Sequence, residues 1–218
     1  LGNETAGSTT TNPSGVSSKD YDFTSAVGSG NYCYLLNDSQ NAGTTWRQTI
    51  GDDKYPVLDT THLPVYKIGG RAYANKEITF SGGSGDPWTP FQISTAEELK
   101  NFAYLVNLGN SSLSGALTAD IVLNENVLDE NGNLRSDYKT ANLEQWTPMS
   151  SFSGSFLGSN HTISGLYINS SMERVGLFKD ITSSGRVSYL GIVDSYISGS
   201  SYVGALAGQT YGATITSC

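Results

Sequence analysis

Short apolar groups separated by Gly, Ser and Asn recur through the second half of the chain. The stretch from Trp146 to Phe178 is the first clear example, and the same pattern continues to the last residue. No helical period of 3.6 residues fits these groups, whereas a series of short strands does. The pattern therefore predicts a mainly β fold in which each short strand is wound onto the one before.

The same groups return at regular distances along the chain. Segment 163–168 is similar to 187–192 at an offset of 24 residues, and 187–190 begins again at 215–218 at an offset of 28. Segment 175–178 returns as 203–206, also at an offset of 28. Two interleaved motifs with such periods indicate a solenoid. We expect parallel pairing between successive turns, with alternate apolar residues stacked inside: Ile163, Leu166, Ile168, Val187, Leu190 and Ile192.

One helix is predicted before these repeats, over residues 94–107. Four apolar residues are spaced i, i+3, i+4, i+7 and form one stripe: Leu99, Phe102, Ala103 and Val106. Ser94 followed by Glu97 matches the capping-box pattern at a helix start. Because a solenoid needs caps at its ends, we expect this helix to cover the N-terminal end of the coil.

The remainder of the chain divides by composition. Residues 1–19 are rich in Ser, Thr and Gly and predict a flexible linker or arm. Residues 20–85 predict a small mixed spacer module, in which prolines exclude a long helix. We place the β-helical domain at residues 86–218, after a Gly- and Pro-containing break. Within it, the polar residues 124–145 predict an insertion looped out of the coil.

Charge and hydropathy restrict the classes of partner. Only 15% of the residues are charged, and the formal net charge is -8. Such a surface repels phosphate backbones and anionic lipid surfaces, so we expect no nucleic-acid partner. No run of residues approaches the ~20 apolar positions of a membrane span, so we expect no membrane insertion within this segment. The chain begins at Leu1 without a charged and apolar leader, which favours a processed or excised segment.

Several of these segments resemble, in the expected order, the GLUG-motif repeats of bacterial surface proteins. The similar segments are 146–148, 152–156, 161–166, 175–178 and 203–208, with lead-in segments at 91–99 and 117–121. Residues 32–66 resemble a spacer found between such β-helical blocks. The chain departs from the family pattern at Leu157, Asn160 and Lys179, where Asp, Gly and Gly are common.

The resemblance implies a right-handed parallel β-helix in a large, multi-block, adhesin-like protein. It implies an extracellular or cell-surface location on a bacterium, and further repeats of the same polypeptide after Cys218. The predicted function is therefore non-enzymatic adhesion or display. The alternatives are a carbohydrate-active β-helix enzyme (a polysaccharide lyase or glycosidase) and a pure structural spacer.

The candidate binding residues are tyrosines of the last repeats, at positions that mostly alternate with the inward residues: Tyr167, Tyr189, Tyr196, Tyr202 and Tyr211. Exposed aromatic rings on a flat β face can stack on sugars or pack against a protein. We therefore expect one face to bind a glycan or a host surface protein weakly. The alternative is that these tyrosines are ordinary strand formers, since Tyr favours strands.

Catalytic chemistry has few candidate residues. The lone His62 and His161 do not form a metalloprotease or zinc motif. A glycosidase needs two nearby carboxylates, for which the candidates are Asp180, Asp194 and Glu173, although corner or solvated positions explain them better. We expect no cofactor and no catalytic residue in this segment.

Two further features leave open what they do. Asp129, Asn131, Asn133 and Asp137 alternate as in a calcium loop, but Gly132 stands at the wrong position, so a solvated turn is favoured and no metal is expected. Cys33 and Cys218 could pair if the two parts of the chain met, or could be separate thiols.

Overall fold

The computed structural model describes residues 28–139 and 141–218. The predicted linker at 1–19 lies outside these residues. The chain divides into two compact units, which we number in order: unit 1 is Leu1–Lys67 with Tyr73–Glu77, and unit 2 is Ile68–Ala72 with Ile78–Cys218.

The described helices and strands are short. In chain order they are α1 Asn31–Leu36, β1 Tyr66–Ile68, β2 Ala72–Ala74, β3 Phe91–Ile93, α2 Ala96–Asn107, β4 Gly115–Leu117, β5 Ile121–Val122, β6 Ser155–Ser164, β7 Tyr167–Asn169, β8 Glu173–Val175, β9 Phe178–Ile181, β10 Arg186–Val193, β11 Tyr196–Ser198, β12 Ser201–Val203, β13 Ala207–Thr210 and β14 Thr214–Thr216. The predicted mainly β class is confirmed.

Side-chain amides stabilise unit 1, which has little regular structure. Asn37 accepts a hydrogen bond from Trp46 N at 3.0 Å and donates to Trp46 O at 2.9 Å. Asn75 donates to Gln48 O at 2.6 Å and to Pro64 O at 2.9 Å. These bonds satisfy backbone groups that would otherwise need a sheet partner, so amide side chains replace a ladder here.

Unit 2 is built from parallel sheets. The largest has the order β14-β10-β6-β4-β3, and β5 also pairs with β6. Three two-stranded sheets accompany it, β11-β7, β12-β8 and β13-β9. All of these pairings are parallel, as predicted. The handedness and closure of a β-helix stay a prediction.

The register of successive turns differs from the predicted one. Val187 pairs with Phe156, 31 residues away, and Ile192 pairs with Ile163, 29 residues away. The predicted offset of 24, which aligned Ile163 with Val187, is therefore wrong. The offset of 28 is confirmed for Val203 and Val175 and for Ile215 and Val187.

A corner in β6 explains the discrepancy. The pairing of β6 with β10 shifts register between Ser188 and Leu190. On β6 the corner contains two left-handed residues, Ser159 (φ 55°) and Asn160 (φ 66°), whereas β10 turns at Tyr189 alone (φ 53°). Alternating apolar residues look alike before and after such a corner, so the similarity of two segments did not identify which ones pair.

The core of unit 2 contains four buried phenylalanines from different elements: Phe102, Phe152, Phe156 and Phe178. The Phe178 ring lies 4.8 Å from the Phe152 ring and 5.9 Å from the Phe156 ring, between centroids. Phe102 of α2 lies 5.6 Å from Phe156. Of the six residues predicted to point inward, five are buried and Ile192 is partly exposed.

Helix α2 is confirmed, with its cap shifted by one residue. Thr95 is the N-cap and accepts a hydrogen bond from Glu98 N at 3.2 Å. The Glu98 carboxylate accepts from Ser94 N at 2.7 Å, so Thr95 and Glu98 replace the predicted Ser94 and Glu97. The predicted apolar stripe is buried. Neither α2 nor α1, the helices of the described ranges, has the length and apolar character to cross a membrane.

Candidate functional site

Two adjoining cavities lie beside α2 in unit 2. The first, of about 340 Å³, is lined by residues that include Lys100, Tyr104, Asn124, Glu144, Gln145 and Trp146. The second, of about 470 Å³, is lined by residues that include Ser150, Met172, Glu173, Arg174 and Lys179. Asn107 and Thr147 line both cavities. We call the combined feature the α2 groove.

The wall of the first cavity is held by side-chain hydrogen bonds. Asn124 accepts from Glu144 N at 2.7 Å and donates to Glu144 O at 3.0 Å, as a paired strand would. Gln145 makes the equivalent pair with Asn169, at 2.8 and 3.0 Å. The buried Trp146 donates from its indole Nε1 to Leu177 O at 3.0 Å. The segment that faces α2 is therefore anchored at each residue from 144 to 146.

Asn107, the last residue of α2, forms the partition between the two cavities. Its Oδ1 accepts from Ser150 N at 2.9 Å and from Ser150 Oγ at 3.0 Å. Its Nδ2 donates to Pro148 O at 3.3 Å. The C-terminal end of the helix is thus tied to residues 148–150, which fixes the width of the groove at this point.

The second cavity contains more charge than the first. Lys100 of the first cavity forms an ion pair with Glu144. By contrast, none of the ion pairs found in residues 28–139 and 141–218 includes Arg174 or Lys179. Arg174 donates from Nη1 to the Tyr211 hydroxyl at 3.4 Å. The cations of the second cavity are therefore held near the groove without a carboxylate partner.

The structure does not place the five candidate tyrosines on one face. Tyr189 belongs to β10, Tyr196 to β11 and Tyr202 to β12, and these strands are in three different sheets. Tyr189, Tyr202 and Tyr211 are exposed, and Tyr202 most of all, at 61%. Of the five, Tyr211 reaches the α2 groove through its contact with Arg174.

The expectation that Tyr167 faces solvent is wrong, because its side chain is buried. The segment that carries Trp146 runs along β7, and Trp146 N donates to Tyr167 O at 2.8 Å. The Tyr167 ring also lies beside the partly exposed Tyr196 ring, with centroids 6.2 Å apart. Tyr167 is therefore part of the packing between successive turns.

Two of the three candidate catalytic acids bind backbone groups. Asp180 is buried and accepts from Ser151 N at 2.8 Å. Asp194 accepts from Leu128 N at 3.0 Å and from Val127 N at 3.3 Å, so it anchors the 124–145 segment. Glu173 is exposed at the α2 groove. These contacts give Asp180 and Asp194 structural positions at corners.

The calcium-like segment is a turn closed by its own residues. Asp129 Oδ1 accepts from Asn131 N and Asn133 N, both at 2.9 Å. Asp137 pairs with Arg135 at 2.6 Å, and this guanidinium lowers the pKa of the Asp137 carboxyl. In the described ranges, no three or more His, Cys, Asp or Glu side chains are grouped so as to hold a metal ion.

Both histidines lie beside a carboxylate. His62 Nδ1 is 2.6 Å from Asp53 Oδ2 in unit 1, and His161 Nδ1 is 3.3 Å from Asp120 Oδ1 in unit 2. The hydrogen bond from His62, followed by one from Thr49 N, lowers the pKa of Asp53. Neither histidine lines the α2 groove.

The two cysteines are free thiols. Cys33 is fully buried in unit 1, and Cys218 is exposed in unit 2. Burial raises the pKa of Cys33 to about 11, although nearby Arg47 partly opposes this effect. A buried thiol with so high a pKa is a poor nucleophile and has a structural position.

Sequence reasoning missed the α2 groove. Its cations, Arg174 and Lys179, lie within a segment that otherwise has little charge except Glu173 and Asp180, and this was an available signal. Asn107 could not be recognised in the same way, because its partners are more than 40 residues away. Comparison of the chain with family models, with curated proteins and with solved structures finds no match.

Proposed function

We propose that this chain is a non-enzymatic segment of a bacterial surface or secreted protein that serves adhesion or display. Its fold would be a right-handed parallel β-helix of the GLUG-motif type. Parallel pairing between residues 28 to 31 positions apart supports the proposal, since this is the period expected of successive turns. A stack of this kind suits display, because rigid sheets hold outward residues in fixed positions.

The α2 groove is the observation that carries a binding function. Cavities of roughly 300 to 1,000 Å³ accommodate small ligands, and the two halves of the groove measure about 340 and 470 Å³. Tyr104 and Trp146 supply aromatic surface, while Asn107, Asn124 and Gln145 supply amides. Apolar ring faces combined with donors and acceptors suit a sugar, whose faces are apolar and whose hydroxyls form hydrogen bonds. The proposed ligand is therefore a glycan.

Binding to immobilised and free glycans tests this function. The wild type is applied to a broad glycan array, and the best ligands are titrated by calorimetry. We expect Tyr104→Ala to weaken binding about tenfold, since an aromatic contact contributes roughly 1 kcal/mol or more. Tyr189→Ala is the matched control, because Tyr189 is exposed in β10 and does not line the groove. Equal losses in both variants would refute the groove as the binding site.

Two alternatives predict different results in the same assays. A polysaccharide lyase or glycosidase would release new unsaturated or reducing ends from the bound glycan, and such release would overturn the non-enzymatic proposal. A pure spacer would bind no glycan and no host surface protein. Binding without product release is the result expected of an adhesion or display segment.

A further inference from the structure

We propose that the second cavity of the α2 groove binds the carboxylate group of an acidic sugar through Arg174 and Lys179. This inference rests on the glycan-binding function proposed above and adds a ligand class to it. Arg174, Lys179 and Glu173 line one cavity of about 470 Å³. Their charges sum to +1 (two cations and one carboxylate), in a chain whose formal net charge is -8.

The two cations of the second cavity differ from the neighbouring lysine. Lys100 in the first cavity is neutralised by Glu144. No carboxylate oxygen of the described residues lies within ion-pair distance of Arg174 or Lys179. Both side chains are only partly exposed, so their charge is less screened than on an open surface. An anion entering this cavity would meet two cations that have no competing internal partner.

The backbone holds Arg174 in an unusual conformation. Its φ is 57°, in the left-handed region that a long side chain seldom adopts. Glu173 pairs with Ser201 and Val175 pairs with Val203, so Arg174 lies between two paired positions and cannot shift along the strand. A Cβ on Gly208 would lie 2.5 Å from Arg174 Cα, so the close packing requires glycine there. Strained residues concentrate at functional sites, and here the strain fixes where the guanidinium emerges.

The groove favours a carboxylated sugar over an acidic peptide or a polyanion. The planar guanidinium matches the two oxygens of a carboxylate. The adjoining first cavity offers an aromatic ring and amides where the neighbouring sugar unit would lie. A densely charged polymer such as nucleic acid would be repelled by the net charge of -8 outside the cavity. A single carboxylate per sugar unit fits this local site best.

The decisive experiment titrates the chain with oligogalacturonate, with its carboxyl-reduced neutral counterpart, with a sulfated oligosaccharide and with an acidic peptide. We expect carboxyl reduction to weaken binding at least tenfold, and the affinity for oligogalacturonate to fall as NaCl rises. We expect Arg174→Gln to weaken binding to oligogalacturonate about tenfold, with a smaller loss for Lys179→Gln. Binding to the neutral oligosaccharide should be unchanged in both variants.

Arg186→Gln and Lys139→Gln are the matched controls, because both residues are exposed and neither lines the groove. Thermal melting checks that every variant is folded. Equal affinity for the acidic and neutral oligosaccharides would overturn this inference and leave the glycan-binding function standing. Tighter binding of the sulfated oligosaccharide or the peptide would overturn the carboxylated-sugar assignment. Failure of all glycans to bind would overturn both proposals.

Discussion

Phe156 and Leu157 are adjacent in β6 but lie in opposite environments. Phe156 is fully buried among the rings of Phe102 and Phe178, whereas Leu157 is 38% exposed. Side chains alternate between the two faces of a strand, so neighbouring residues of similar hydrophobicity contribute unequally to stability.

We expect Phe156→Ala to lower the free energy of unfolding by about 3 to 5 kcal/mol, because it removes a buried ring and leaves a cavity. Leu157→Ala should change it by about 0.5 kcal/mol or less, as for other surface substitutions. Urea denaturation measures both, and Phe156→Leu provides a milder variant if the alanine variant does not fold. Similar losses at the two positions would show that β6 does not present one buried face.

Asp53 connects the stability of unit 1 to pH. Its Oδ2 lies 2.6 Å from His62 Nδ1 and also accepts from Thr49 N. These hydrogen bonds lower its pKa in the folded state. The unfolded chain, with an Asp pKa of about 3.9, therefore takes up the proton first as the solution is acidified. The contribution of Asp53 is present above about pH 4 and is lost as the pH falls through its folded pKa.

We expect Asp53→Asn to destabilise unit 1 at pH 7 and to have progressively less effect below pH 4. The unfolding of unit 1 is followed in urea by the NMR amide signal of the buried Cys33. Asp52→Asn removes the same charge from the adjacent exposed residue and serves as the control. A destabilisation by Asp53→Asn that persists unchanged at pH 2 would contradict the role assigned to the carboxylate.

Among the elements, α2 was the most predictable from sequence. Its apolar stripe lies within one continuous segment, and the same residues are buried in the structure. The strand at 91–93 was also predicted at its observed bounds. The cap was displaced by one position because Ser94 and Thr95 are both good N-cap residues and both Glu97 and Glu98 follow. Local patterns thus identify an element better than its first residue.

The pairing of elements was less predictable than their existence. Parallel direction and the offset of 28 followed from the repeated apolar groups. The offset of 24 failed because Ser159, Asn160 and Tyr189 form corners whose lengths differ between β6 and β10. Corner length is set by backbone conformation, which apolar periodicity does not report.

The candidate site depends on contacts between distant segments. Asn107 binds Ser150, 43 residues away, and Arg174 binds Tyr211, 37 residues away. The alternation of residues along strands suggested which tyrosines face outward, but it could not show that residues 145 and 146 cover Tyr167. The predicted tyrosines and the observed groove therefore meet at Tyr211.

At the scale of the whole molecule, burial changes from turn to turn within unit 2. Val175 is 0% exposed, whereas its partner Val203 in the next turn is 48% exposed. Val187 is 1% exposed, whereas its partner Ile215 is 42% exposed. Strands β12 and β14 each pair on one side only among the described residues, while β10 is paired on both sides. Stability in a stack of repeats depends on such neighbour interfaces, so it should decrease toward the last turn.

Hydrogen exchange followed residue by residue measures this gradient. We expect the amides of β14 to exchange at least about 100-fold faster than those of β10, because a strand with one neighbour and an exposed apolar face opens locally. The corresponding difference should separate β12 from β8. A dilution series serves as the control, since self-association through the exposed strands would slow exchange in a concentration-dependent way. Equal protection of β14 and β10 at every concentration would mean that unit 2 unfolds as one cooperative block, and that the additive stability expected of a repeat stack does not apply to this chain.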